Sequence, residues 1–266
     1  MGDLQRGAES VTVERAVSEF ERVRLDGVGY VRVTLGDNEG VTVEAPGEWV
    51  DDIVTRVRGG VLELGLRGNH YHLRRNGKIR FHVAARALRG LAIDGSGTIE
   101  APRLAADSVA AAIDGAGRIQ IDSIEAERVR LAIDGAGRFA VGTAKAQEVQ
   151  FSIDGTGTID VERLDSERIA VAVDGMGRVV ATGTADSVEI HVDGTGEVDT
   201  RQLIARHVEV EIDGVGKVFT RAEETLDVRV DGFGRVEYAG SPRVRERADG
   251  ACRVVRLDAP DEPARI

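Results

Sequence analysis

The residues in this chain best suited to chemistry are aspartates, and they recur with a period. Asp94, Asp114, Asp134, Asp154, Asp174, Asp193, Asp213 and Asp231 each open a D-G-x-G motif, and their spacings are 20, 20, 20, 20, 19, 20 and 18 residues. An outlying copy, Asp26-Gly27-Val28-Gly29, lies near the start, and a degraded one, Asp249-Gly250-Ala251-Cys252, near the end. Three chemistries suit such a column. The first is turn chemistry, in which the carboxylate accepts a backbone N–H two residues on and the glycine takes φ > 0. The second is cation binding. Stacked like charges repel by roughly 1 kcal/mol per pair even in water, and Ca²⁺ takes oxygen ligands, which makes Asp114, Asp134, Asp154 and Asp174 the calcium candidates. The third is glycoside chemistry by paired carboxylates.

The repetition itself ranks them. An active site needs unlike groups in adjacent positions, whereas every repeat here carries the same aspartate. The G-G-x-G-x-D nonapeptide of calcium-binding β-rolls is absent. The aspartates are therefore read as structural turn residues, with no catalytic residue and no resident cofactor, Ca²⁺ being the one alternative. His70-x-His72 offers two ligands without a third and reads as polar surface, while His82, His191 and His207 fall in different repeats. Cys252 stands where the second corner glycine would be and reads as packing. A single cysteine excludes internal disulfides and any Cys-based zinc cluster. The G-x-G corners are not followed by a helix that could receive a phosphate.

The elements that must hold these corners follow from the alternation around them. Val109/Ala111/Ile113, Val129/Leu131/Ile133, Val149/Phe151/Ile153 and Val208/Val210/Ile212 alternate with smaller or polar residues before the corner. Ile119/Ile121, Phe139/Val141 and Ile159/Val161 do so after it. That is strand periodicity. About 20 residues with two or three short strands and identical corners make one coil of a β-solenoid, since one repeat cannot bury its own apolar face and must stack on the next. A propeller blade would need ~40 residues or more. The composition agrees: 42% of the 266 residues are hydrophobic, yet only 10 are aromatic (six Phe, three Tyr, one Trp) against 33 glycines, which suits a narrow aliphatic interior.

Residues 11–257 are read as one all-β domain, with 11–90 as about three irregular N-terminal coils and a cap and 91–257 as regular repeats. Residues 1–10 and 258–266 are tails. Eleven coils at the ~4.7–4.9 Å strand spacing would give a rod on the order of 50 Å long. Gly59-Gly60 is expected at a corner like the Asp-Gly ones, residues 67–77 as a polar excursion, and Trp49 in the cap. The net charge of −11 argues against nucleic acid and anionic membranes as partners. No stretch reaches the ~18–20 apolar residues of a membrane span.

Several stretches resemble one bacterial family: Val11-Thr12-Val13-Glu14-Arg15, Phe20-Glu21-Arg22-Val23, Val31 to Leu35, Val41 to Glu44, Ile53 to Leu64, and the later G-x-G corners. It is the family of putative auto-transporter adhesins with a head GIN domain, and the resemblance spans roughly residues 11–257. It implies a single right-handed parallel β-helix and an envelope or extracellular location. In one respect the chain departs from that pattern: Asp precedes the first corner glycine here, and Thr, Arg, Glu or Lys follows the second.

The outward positions of the pre-corner strands carry the partner expectation. In the early and middle repeats they are small, at Ala92, Ala110, Ala112, Ala132, Ser152, Ala170 and Ala172. Later the same positions become Glu189, His191, Glu209, Glu211, Asp227 and Arg229. A flat patch of small residues on a solvent face suggests that something packs on it, a second copy or another protein, with carbohydrate as a further partner class. The function expected is a non-enzymatic envelope or surface scaffold for adhesin-like binding or self-association. The alternatives are a polysaccharide-acting β-helix enzyme and a cytoplasmic self-assembling scaffold, the last if the native gene has no export signal, since Met1 to Arg6 shows no apolar run.

Overall fold

The computed structural model describes residues 10–67 and 79–257. Its regular part is a stack of parallel coils joined at the Asp-Gly corners. Five coils run almost without a break: β9 (Ser96–Ile113), β10 (Ala116–Ile133), β11 (Ala136–Ile153), β12 (Thr156–Val173) and β13 (Met176–Val192). The stack continues through β14 (Thr195–Asp199), β15 (Leu203–Ile212), β16 (Val215–Val230), β17 (Phe233–Ala239), β18 (Arg243–Ala248) and β19 (Ala251–Arg256). Equivalent residues pair in register, Ile119 with Phe139 and Leu131 with Phe151, so the inward columns stay apolar along the rod. The β10 ladders skip Asp122 and Glu127, which marks two further bends and divides each coil into three walls.

The alternation read from the sequence sets which side faces in. Ile119, Ile121, Ile124, Val129, Leu131 and Ile133 are all buried, and their counterparts above and below continue one aliphatic core. This is the β-solenoid that the period implies, with coils about 20 residues apart.

The N-terminal end is built differently. β2 (Arg22–Asp26) and β3 (Val28–Leu35) form a coil around the outlying Asp26-Gly27 corner, and it stacks under β8 (Gly90–Ile93) and β9, pairing Leu25 with Ile93 and Gly29 with Gly97. Its other side is covered by β6 (Val61–Leu66) and β7 (Arg80–Ala85), which come later in the chain. The chain thus doubles back to seal this end before resuming the stack. β4 (Gly40–Pro46) lies antiparallel to both β1 (Ser10–Arg15) and β7, and β5 (Ile53–Arg58) is antiparallel to β6.

The expected series of about three irregular coils is therefore one coil, a partial coil and antiparallel strands. Gly59-Gly60 is not a solenoid corner. It is the two-residue turn of the β5–β6 hairpin, with φ of +56° and +73°, positive at both positions as a type I′ turn requires. Trp49 sits in a 3-10 turn (Gly47–Asp52) and packs on the core of this cap. Residues 68–77 of the expected polar excursion, with His70 and His72, fall outside the described residues, as do tail residues 1–9 and 258–266. Among the described residues no helix is long and apolar enough to cross a membrane.

Candidate functional site

At each regular corner the backbone is committed to the neighbouring coil. The N–H groups of Asp114 and Gly115 both donate to Ile93 O, at 3.0 and 3.2 Å, and Ala116 N–H donates to Gly95 O at 2.8 Å. The amide two residues beyond Asp114 is the one a turn-forming carboxylate would take, and it is already used. The expected reason for glycine also changes. None of the corner glycines from Gly95 onward has positive φ. What they need is room: a Cβ on Gly115 would lie 1.9 Å from Gly95 O, and one on Gly155 would lie 2.0 Å from Gly135 O. Coils meet backbone to backbone at this edge.

The corner carboxylates are left facing solvent. Asp94 pairs with Arg24 Nε at 3.4 Å. Burial pushes the Asp94 carboxyl above the ordinary range, Arg24 opposes it, and the charges of Asp114 and Asp26 add to it. Asp114 is raised in the same direction, by burial first and then by the charge of Asp134 and a hydrogen bond shared with it. Among the described residues no three His, Cys, Asp or Glu side chains converge as metal ligands. Asp114, Asp134, Asp154 and Asp174 are strung one per coil, whereas Ca²⁺ gathers about six to eight oxygens.

The alanine positions form two columns of unequal quality. Ala92, Ala112, Ala132, Ser152 and Ala172 stack without interruption, on Arg24 at one end and under His191 and Glu211 at the other. Ala110 and Ala170 belong to a second column in which Arg130 and Gln150 stand between them. The expected flat patch is therefore a trough one residue wide. Its first part is a depression of about 230 Å³ with Arg22, Arg24 and Arg130 as rims over Ala92, Ala112 and Ala132. Ala132, at 8% exposure, is nearly covered there.

Two features went unread in the sequence. The variable residue of D-G-x-G forms its own column, Met176, Thr195, Val215 and Phe233, in register on consecutive coils. Met176, Val215 and Phe233 are 61%, 52% and 67% exposed, a ridge of bare apolar side chains. The signal was the x position itself, which turns from Ser96, Ala116 and Ala136 to these larger residues.

The second feature is a cluster on the wall that follows the corner, at the sealed end. Parallel pairing of β9 with β3 and of β3 with β7, and antiparallel pairing of β7 with β4, align Thr98, Tyr30, Arg80 and Glu44 in one row. The adjacent row is Glu100, Arg32, His82 and Thr42. Tyr30 OH donates to Glu100 Oε2, and Arg32 Nη2 donates to Tyr30 OH at 2.9 Å and to Glu100 Oε2 at 3.2 Å. Burial and the hydrogen bond to Glu100 raise the Tyr30 phenol. His82 Nε2 lies 3.4 Å and Arg80 Nη1 3.6 Å from Glu44. No sequence signal marks this site, because its strands lie up to 70 residues apart (Tyr30 to Glu100).

The remaining titratable candidates stay scattered. His191 is 3.5 Å from Glu211 and His207 is 3.8 Å from Glu224, on different coils. Cys252 is half-buried under the corner of the last coil, and burial pushes its thiol up.

Comparison with known proteins places this architecture. The family model described as putative auto-transporter adhesin, head GIN domain, matches residues 19–165 and 138–242. A crystal structure of a putative adhesin from Parabacteroides distasonis ATCC 8503 superposes with a TM-score of 0.71 at 16% identity, covering 94% of this chain and 98% of that one. One from Parabacteroides merdae ATCC 43184 gives 0.69 at 16%, covering 94% and 97%. A putative lipid binding protein, also from P. distasonis ATCC 8503, gives 0.65 at 17%, covering 94% and 97%. At such identities the likeness is one of fold. No curated protein matches the chain.

Proposed function

The chain belongs to the putative auto-transporter adhesin, head GIN domain family, and from that premise we propose that it is a non-enzymatic scaffold of the bacterial envelope or surface that self-associates through its alanine trough. The family and the adhesin-named neighbours support a surface role. The column of Ala92, Ala112, Ala132, Ser152 and Ala172 supplies a seam that a second copy can approach closely.

The observation that carries this reading is the unbroken small-residue column, bounded by charged residues at both ends. Arg22 and Arg24 stand on the first coil, and beyond Ala172 the same two columns carry Glu189, His191, Glu209, Glu211, Asp227, Arg229, Arg245 and Arg247. Glu211 pairs there with Arg229 and Asp227 with Arg245, so the contact is confined to the uncharged stretch of the alanine column between. Two-fold homodimers are the commonest closed assembly, and such an axis across the rod brings the two alanine columns face to face.

Light scattering on the full chain tests it. The wild type is expected to be dimeric. Ala112→Arg with Ala172→Arg fills the trough at two half-buried positions and should give a monomer with unchanged β circular dichroism. A wild type that is monomeric at high micromolar concentration overturns the reading.

A further inference from the structure

The cluster at the sealed end lies on a different wall from the alanine trough and opens into a cleft of about 750 Å³, lined by Val28, Tyr30, Arg32, Glu44, Arg80 and His82 among others. Its volume falls within the ~300–1,000 Å³ of small-molecule sites. Further along this wall unlike groups meet as simple pairs, Arg178 with Glu197 at 3.3 Å and Arg235 with Glu237. Here four strands from distant parts of the chain bring a phenol, an imidazole, two guanidinium groups and two carboxylates onto two adjacent rows. Nothing in the packing of the fold calls for this combination, since all of these side chains point outward and remain partly exposed.

We propose that this cleft is a binding site for a neutral saccharide. The charge balance argues first: Arg32 and Arg80 are matched by Glu44 and Glu100, so the site offers no net attraction to phosphate, nucleotide or metal ion. The hydrogen-bonding pattern argues second. Arg80 and His82 sit at 3.6 and 3.4 Å from Glu44, ion-pair contacts too long for full hydrogen bonds, which leaves donors and acceptors within one small area. His82 Nε2 is shielded from solvent and has no hydrogen-bond partner. A hydroxyl donates and accepts at once, and a sugar presents several on one rigid ring. The cleft's other edge is apolar, formed by exposed Val28 and by the Tyr30 ring, over which the Arg32 guanidinium lies 5.6 Å from the centroid. A ring with C–H faces and hydroxyl edges matches an apolar side next to a balanced polar side.

The test is saturation-transfer NMR and titration of the full chain with cellobiose, lactose, diacetylchitobiose and the acidic digalacturonate. At least one neutral disaccharide should bind saturably. Tyr30→Phe keeps the ring and removes one hydroxyl, and Glu44→Gln keeps the shape and removes one charge. Each should weaken binding roughly tenfold, the loss expected for one hydrogen bond to a charged partner. Both variants should keep the melting midpoint and the mass of the wild type, and Arg178→Ala, on the same wall several coils away, should keep the affinity. Saturation transfer to none of the neutral sugars, or to digalacturonate alone, overturns the proposal. So does undiminished binding by both cleft variants. The readout is independent of dimerisation, so failure here and failure of the trough reading are separate results.

Discussion

The regular coils and the sealed N-terminal end use the same strands and the same aliphatic core, yet they differ in what they can place on the surface. In the regular coils the corners stay in register, with shifts after Val161 and after Ala205, so Arg118 meets Arg138 and Asp114 follows Asp94. Such a wall mostly repeats its chemistry, and unlike groups meet there as pairs such as Arg178 with Glu197. At the sealed end the chain reverses direction, β4 runs against β7, and residues 30, 44, 82 and 100 come together from four strands. Periodicity yields aligned columns, and breaking it yields a larger cluster of unlike groups.

The largest effect that would sharpen this contrast concerns its glycines. Gly155→Val in a regular corner drives a side chain into the backbone of the preceding coil, with Gly135 O 2.0 Å and Asp134 O 2.6 Å from the new Cβ. It should cost more than about 4 kcal/mol or prevent folding. Gly59→Ala in the hairpin meets open space, and only its φ of +56° is unfavourable, a cost of roughly 1–2 kcal/mol. Chemical denaturation of the two variants checks the ranking. Equal losses would mean that the corners are not held by close backbone contact.

Smaller effects are expected at the corner carboxylates. With the Ala136 amide bonded to Gly115 O at 2.8 Å, Asp134 is not needed to close its turn. Asp134→Asn and Asp134→Ala should both fall within about 0.5 kcal/mol of wild type. A loss on alanine alone, measured in the same denaturant series, would restore the carboxylate as a turn acceptor.

The smallest effect is on pH dependence. Asp94 and Asp114 have folded-state pKa values above the ordinary carboxylate value, so the folded chain holds their protons more tightly than the unfolded chain. Their charged forms therefore cost stability above the raised pKa, and that cost is relieved as pH falls through it. Asp199 has the opposite sign: Arg201 holds its pKa down, giving stability that is present above the ordinary value and lost in stronger acid. Asp114→Asn should melt slightly higher than wild type at pH 7, and the gap should shrink as the pH falls through the raised range. A gap that stays constant as the pH is taken from 7 down through the ordinary carboxylate range would count against a cost of burying and stacking these charges.

The stack was legible because a period of 20 leaves one way to bury Val109, Val129 and Val149 together, in a column shared by every coil. The corners were legible in place but not in cause, since D-G reads as turn chemistry whether the glycine serves dihedral freedom or clearance. The second alanine column was visible in the same period, which puts Arg130 and Gln150 between Ala110 and Ala170, and grouping by residue size passes over them. The Tyr30 cluster was not legible. Its register depends on β6 and β7 returning to cover β2 and β3, and nothing local at residues 61–85 says which strand they will join.

The serial stacking of coils also dictates how the rod would behave under tension. A pull on the C-terminus loads β19 and β18 first, edge strands that among the described residues pair with β17 and β16 alone, so the ladder opens as a zipper, one rung after another. Each coil of about 20 residues yields roughly 65 Å of extended chain, at ~3.3 Å per residue, against the ~4.8 Å it occupied in the stack. The rod is then a spool that pays out line in uniform lengths at nearly uniform force. At the far end β4 is held between β1 and β7 in antiparallel pairing, and the sealed cap forms the knot on which the spool stops.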